Sequence, residues 1–193
     1  YDQRHSVLAA RARADFYAAE LGGEKIIVHS YGKLSGDHSE MNERAIYAGR
    51  GKQHLDFFYH IDHVGKKTKA EIALNGALAE ESKKSFRGTL DFKRGCAGSV
   101  GDEGDFAIQL DPKTKNISLP LLLCTEDDVQ GNHASSAGQL DQNTIYFLMS
   151  RGFTLEEARR IVVEALIRPI IDGMDEALRE EVLNAVRMKL DKE

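Results

Sequence analysis

Along most of the chain, apolar and polar residues alternate with a period of two, the mark of strands that bury one face. In residues 11–18, Ala12, Ala14, Phe16 and Ala18 fall on one side and Arg11, Arg13, Asp15 and Tyr17 on the other, so an Ala-rich segment reads as a half-buried strand rather than a helix. Gly22-Gly23 then turns the chain. The same pattern predicts strands over 24–32, 42–48, 54–63, 69–78, 83–93 and 106–110, parted by Gly-, Asp-, Asn- or Lys-rich corners. Asn75-Gly76 lies inside one of them and suits a bulge better than a hairpin turn. Pro112 and Pro120 bracket a connection, 113–119, and 121–124 reads as the last buried strand. The succession fits either a sandwich or barrel with tight hairpins or a solenoid of stacked coils. Apolar centres near Ile46, Ile72 and Ala107 show no clean repeat that decides between them.

After residue 140 the period becomes helical. Asp141 caps a first helix carrying Ile145, Tyr146, Leu148 and Met149, and Gly152 is placed to end it in a left-handed conformation. Thr154 with Glu157 forms a capping box for a second helix, whose apolar stripe is Ala158, Ile161, Val162, Ala165 and Leu166 and which Pro169 kinks or ends. A third starts near Asp175, with Leu178, Val182, Ala185, Val186 and Lys189 on one side. The division is a β body, 1–140, and a helical domain, 141–193. Helices this short must dock on the β body or on another chain.

Where the two patterns meet, residues 126–141 combine Glu126, Asp127 and Asp128 with amides, the single imidazole of His133 and several small residues. This junction is the best candidate for a functional site. The glycine-rich stretch 94–105 precedes no helix and lacks the Lys-Ser/Thr of a P-loop, so it reads as a surface corner without nucleotide chemistry. His60 and His63 face opposite sides of a regular strand and do not chelate together. No His-x-His pair with a downstream Glu suggests a cupin metal centre, and no Gly-x-Ser-x-Gly elbow surrounds Ser99 or Ser135.

Composition narrows the field further. With 41% apolar and 30% charged residues in 193, the chain suits a soluble globular fold, and no apolar run approaches the length of a membrane span. Opening on Tyr1 rather than Met, it reads as part of a longer protein. A net charge of −5 without a concentrated basic face argues against nucleic acid, and Arg11, Arg13, Lys66, Lys67, Lys83 and Lys84 read as solvated. Cys96 and Cys124 are too far apart for a CxxC motif and too few for a disulfide framework, which suits a reducing cytoplasm; both read as small buried hydrophobes.

Several ordered motifs then carry a resemblance. Asp127-Asp128-Val129, Asn132-His133-Ala134, Ala137-Gly138-Gln139-Leu140-Asp141, the run from Ile145 to Gly152, and Glu157-Ala158 resemble the C-terminal signature of the SufB/SufD family, the non-ATPase components of the SUF iron–sulfur cluster assembly machine. Upstream, Gln53-His54-Leu55-Asp56-Phe57, Asp62-His63-Val64-Gly65 with Thr68, Gly76-Ala77-Leu78 and Phe86-Arg87-Gly88 resemble the family's β region. The resemblance implies a mainly β protein: a right-handed β-helix with two strands per turn, followed by a small α-helical domain that contacts a cytosolic, SufC-like ABC-type ATPase. It implies a scaffold rather than an enzyme, paired as a homo- or heterodimer with a second SufB/SufD-type subunit through the end of the β-helix. No cofactor is then held tightly by this chain alone; a transient iron–sulfur cluster lies at the subunit interface.

The resemblance makes His133 an iron or cluster ligand, its alternative being a structural hydrogen bond. Gly131 stands where SufD-type members often have cysteine, so a thiolate would come from a partner or from sulfide. Glu126, Asp127 and Asp128 suit transient oxygen ligation or a plain acidic edge. Tyr146, Phe147, Arg151 and Phe153 are expected at the ATPase-docking surface, unless the aromatics merely pack the helices onto the β body. The competing function class is a metal-dependent or carbohydrate-active enzyme on a β-solenoid, which requires a metal triad or clustered carboxylates on one face of the coil.

Overall fold

The period-two stretches become ten strands: β1 (Asp2–Leu8), β2 (Arg13–Glu20), β3 (Lys25–Leu34), β4 (Glu40–Gly49), β5 (His54–His63), β6 (Lys69–Leu78), β7 (Lys83–Phe92), β8 (Ser99–Gln109), β9 (Lys115–Cys124) and β10 (Val129–Gln139). Three helices follow, α1 (Gln142–Ser150), α2 (Leu155–Ile171) and α3 (Glu176–Leu190). These come from a computed structural model that describes residues 1–190.

Among the described residues every strand pairing is parallel, and odd and even strands form separate sheets, β1-β3-β5-β7-β9 and β10-β8-β6-β4-β2. The chain alternates between the two, so each pair of strands makes one coil of a solenoid. Hairpins are excluded, because each strand bonds to the strand two further on in sequence. Lys25, His54, Lys83 and Lys115 occupy one rung position at intervals of 29, 29 and 32 residues.

Corners repeat as well. Arg11, His38, Lys67 and Gly98 all take a left-handed φ at the bend leading into the even strands. Gly36-Asp37-His38-Ser39 and Gly65-Lys66-Lys67-Thr68 stack there, and a Cβ on Gly65 would lie 2.4 Å from the backbone of Gly36, so the close approach requires glycine.

Inside, inward-facing residues form columns along the stack. Val28, Phe57 and Phe86 make one, and Leu34, His63 and Phe92 another, all fully buried. Asn75-Gly76 forms no bulge: the register runs through it unbroken, and Gly76 admits the Tyr47 ring, which a Cβ would meet at 2.6 Å. The glycine-rich stretch is not only a surface corner either. β8 starts at Ser99, and Gly101 faces inward, where a Cβ would meet Leu90 at 2.9 Å and Phe92 at 3.0 Å. The expected connection before Leu121 is mostly strand, since β9 begins at Lys115 and accommodates Pro120 as the edge strand of its sheet. Nor is that strand the last or fully buried: its alternate aliphatic residues are exposed, Cys124 is exposed, and only Cys96 of the two cysteines is buried.

The helices dock on the outer face of the even-strand sheet. Ile46 points outward from β4 yet is fully buried against Ile167, Ile170, Ile171, Leu183 and Val186. The Asn75 amide also donates to the Leu166 carbonyl at 2.8 Å. The apolar faces match those expected only in part: Ala158 and Val186 are buried as expected, but Val163 and Ile167 are buried while Ile161 is exposed, and in α3 Leu183 is buried while Leu178 is exposed. Pro169 does not end α2, which continues to Ile171. Asp141 caps α1 through the Asn143 and Thr144 amides, Gly152 stops it at φ 97°, and the Thr154–Glu157 box is complete.

Candidate functional site

Residues 126–141 do more than join the strands to the helices. They supply the last strand of the solenoid, because Val129–Gln139 pairs along its whole length with β8. Register fixes the side chains: residues paired in a parallel sheet point to the same face. His133 pairs with Glu103, Ser135 with Asp105 and Gly131 with Gly101. Glu103 and Asp105 are inward and buried, so His133 and Ser135 continue the inward columns. With no further coil above them they are exposed, at the open mouth of the interior.

That interior is unusually polar for a packed core. Lys84, expected in solvent next to Lys83, points inward and is 2% exposed. Its ammonium donates to Asp105 and lies 5.0 Å from the Tyr47 ring centre. Burial lowers the Lys84 pKa, and Asp105 opposes the shift. Glu103, 3% exposed, has neither carboxylate oxygen hydrogen-bonded with good geometry. Burial and then the charge of Asp105 raise its pKa to about 8, with the Leu121 amide acting the other way. Its carboxylate reaches across the interior to Gly88, where an ideal Cβ would lie 1.8 Å from Oε1. On β9, the inward Asn116 Oδ1 and Ser118 Oγ are buried and unpartnered too. Deeper, Glu43 accepts from Ser30 and from Arg4, and burial raises its pKa.

Other candidates separate cleanly. Cys124 lies at the same open end but further along β9, two residues beyond Leu122, which faces Gly131 at 3.4 Å from an ideal Cβ. Glu126 is exposed and accepts from the Gly95 amide at 2.8 Å, so it braces a corner. Asp127 and Asp128 are exposed beside it. His63 is buried inside, its Nδ1 2.7 Å from the Thr68 hydroxyl and its ring stacked on Phe92. Burial lowers its pKa to about 4, against the charges of Asp62 and Asp91. His60 faces outward, half-buried and stacked on Tyr31.

One grouping escaped the sequence pattern. On the outer face, donor atoms of His60, Asp62 and Asp91 lie within 4.8 Å of one another. Asp62 and Asp91 share a rung of β5 and β7, which only the coil register reveals. Lys93 takes the cation's place between them, 3.3 Å from Asp62 and 2.5 Å from Asp91, and the Tyr31 hydroxyl donates to Asp62 at 2.5 Å. Among the described residues this is the grouping nearest to the metal triad a solenoid enzyme requires, and Lys93 already bridges its two carboxylates.

Two exposed apolar surfaces complete the picture. On β9, the outward positions Ile117, Leu119, Leu121 and Leu123 are 54, 54, 51 and 44% exposed along an unpaired edge. On α1 and the turn after it, Tyr146 is 76% and Phe147 54% exposed, with Met149, Phe153 and Leu155 also exposed. The Arg151 guanidinium sits 4.9 Å from the Phe147 ring centre. These aromatics do not pack the helices onto the β body; Ile145, with Leu140 and Ala158, does that. No helix among the described residues is long and apolar enough to cross a membrane.

Residues 1–166 match the family described as SUF system FeS cluster assembly, SufBD core domain. The chain is 28% identical over 158 residues to the iron-sulfur cluster assembly protein SufD of Bacillus subtilis, covering 81% of this chain and 36% of that protein. It is 24% identical over 172 residues to an iron-sulfur cluster assembly SufBD family protein of Mycobacterium bovis, covering 86% and 20%. With the iron-sulfur cluster assembly protein SufB of Bacillus subtilis it shares 20% identity over 189 residues, covering 97% and 40%. The chain thus spans well under half the length of these relatives.

Proposed function

The chain belongs to the SufB/SufD family of the SUF iron–sulfur cluster assembly system, and on that premise we propose that it works as a non-catalytic scaffold for cluster assembly in the cytoplasm. The observation that carries the proposal is the family match across the entire solenoid, α1 and most of α2, residues 1–166. In this reading the helical end, 141–193, engages an ABC-type ATPase, and the open coil end pairs with a second SufB/SufD-type subunit. Iron, sulfide or the nascent cluster is cargo held at that open end, with His133 as an imidazole ligand.

Physical features support each part. An unpaired strand edge lined outward by four aliphatic residues invites another chain. Exposed Tyr146 and Phe147, beside Arg151 and Phe153, have the residue types that dominate binding energy at protein interfaces. His133 stands at an inward position that a second subunit would cover, where exclusion of water strengthens ligation.

The test uses a purified ABC-type ATPase of a SUF system. The full chain should bind it, and Tyr146→Ala with Phe147→Ala should weaken binding about ten-fold or more without changing the circular dichroism spectrum. Failure of the full chain to bind the ATPase would remove the scaffold reading. The enzyme alternative requires the His60–Asp62–Asp91 group to shed Lys93.

A further inference from the structure

We propose that Glu103 is a second metal donor beneath His133, making the mouth of the solenoid a site for a divalent cation of the ferrous type. The inference rests on the scaffold reading above and assigns a protein ligand to its cargo site. Sequence distance hides the pairing, since the two residues are 30 apart, but register stacks them in one inward column. Adjacent strands lie about 4.8 Å apart, within the span of two side chains meeting at one ion.

Glu103 is an unusual residue to find in this place. It is 97% buried, and neither oxygen has a well-formed hydrogen bond. The nearby interior cation, Lys84, is committed to Asp105. A buried carboxyl group whose one donor is the weakly placed Leu121 amide is costly and is retained where something is to be bound. The surroundings are shaped to keep it. At Gly88 a methyl group would occupy the carboxylate's place, its carbon 1.8 Å from Oε1. Asn116 Oδ1 and Ser118 Oγ, on the neighbouring strand of the opposite sheet, add buried oxygens without partners.

The donor chemistry selects the occupant. One carboxylate, one imidazole and neutral amide or hydroxyl oxygens suit a borderline divalent ion such as Fe(II), and disfavour soft Cu(I), which prefers sulfur. Two strong protein donors are fewer than a closed structural site uses. The remaining positions stay open to sulfide or to a ligand from the second subunit, as transfer of cargo requires.

The experiment is anaerobic Fe(II) titration of the full chain by calorimetry, repeated with Co(II) to follow its visible absorption. Wild type should bind one equivalent, and Glu103→Gln and His133→Ala should each weaken binding at least ten-fold. Asp91→Asn, on the outer face, should leave binding unchanged. Glu103→Gln should melt no lower than wild type, since it keeps the size and shape of the buried side chain, so lost binding would not reflect unfolding. Equal binding by wild type and Glu103→Gln, no binding by wild type, or loss of binding in Asp91→Asn would each overturn the proposal. ATPase capture by Glu103→Gln separates the two readings: captured normally but blind to iron, the variant isolates the metal site. Failure of wild-type capture tells against the scaffold reading alone.

Discussion

His63 shows how strongly the coil interior alters a single side chain. Its ring is stacked 4.4 Å from Phe92 and has no exposure. The folded pKa of about 4, against 6.5 for the free imidazole, means that the folded state disfavours the proton that the unfolded state takes up. The stability this group contributes is fully present above the unfolded pKa and is lost as pH falls through the interval down to the folded one. Each pH unit of that interval weakens folding by up to about 1.4 kcal/mol. Urea midpoints followed by circular dichroism should therefore fall more steeply from pH 6.5 to 4 for wild type than for His63→Gln; parallel curves would show that His63 does not titrate as its burial requires. At this scale the strand alternation did place His60 and His63 on opposite faces. It failed for Lys84, whose charge suggested solvent although its position is inward, because only the register shows Asp105 waiting inside.

Among the elements, the helices were easiest to read where their ends are chemical. The Asp141 cap, the Gly152 stop and the capping box each depend on groups within four residues, so local sequence is enough. Helix faces were harder, because they are set by what the even-strand sheet presents. Ile46, Ala73 and the Asn75 amide define the surface on which α2 settles, and they lie about 90 to 120 residues upstream of it. Burial of Ile167 at 1% exposure makes that contact testable. Ile167→Ala should cost about 2–5 kcal/mol in urea unfolding. It should also raise amide exchange in α2 and α3 more than in β5 and β7, since the cavity opens on the docking face; a uniform rise would mean that helices and solenoid unfold as one unit. β10 was not legible as a strand because Gly131, Ala134, Ser135, Ser136, Ala137 and Gly138 show no apolar alternation. An end strand with no coil above it has no interior to fill.

For the whole molecule, a repeat of 26–32 residues exists in the register, yet no apolar period announces it, since one inward column can run Phe16, Glu43, Ile72, Glu103, His133. The better signal was in the corners, where Gly36-Asp37-His38-Ser39 and Gly65-Lys66-Lys67-Thr68 recur with buried hydroxyls. A stacked architecture of this kind leaves its last coil with unpaired backbone and an uncovered interior, a liability unless another chain covers it. On β9 the usual protections are missing from the outward positions, where Ile117, Leu119, Leu121 and Leu123 stand instead of charges. Leu121→Glu places a charge at the middle of that row while the inward side chains stay untouched. Its melting temperature as a monomer should stay close to wild type, because an exposed residue changes stability by only about 0.5 kcal/mol. Association with a second SufB/SufD-type subunit, followed by sedimentation, should weaken at least ten-fold, because pairing would bury the carboxylate against apolar surface. Undiminished association would place the partner elsewhere and leave the open coil end, with His133 in it, facing water.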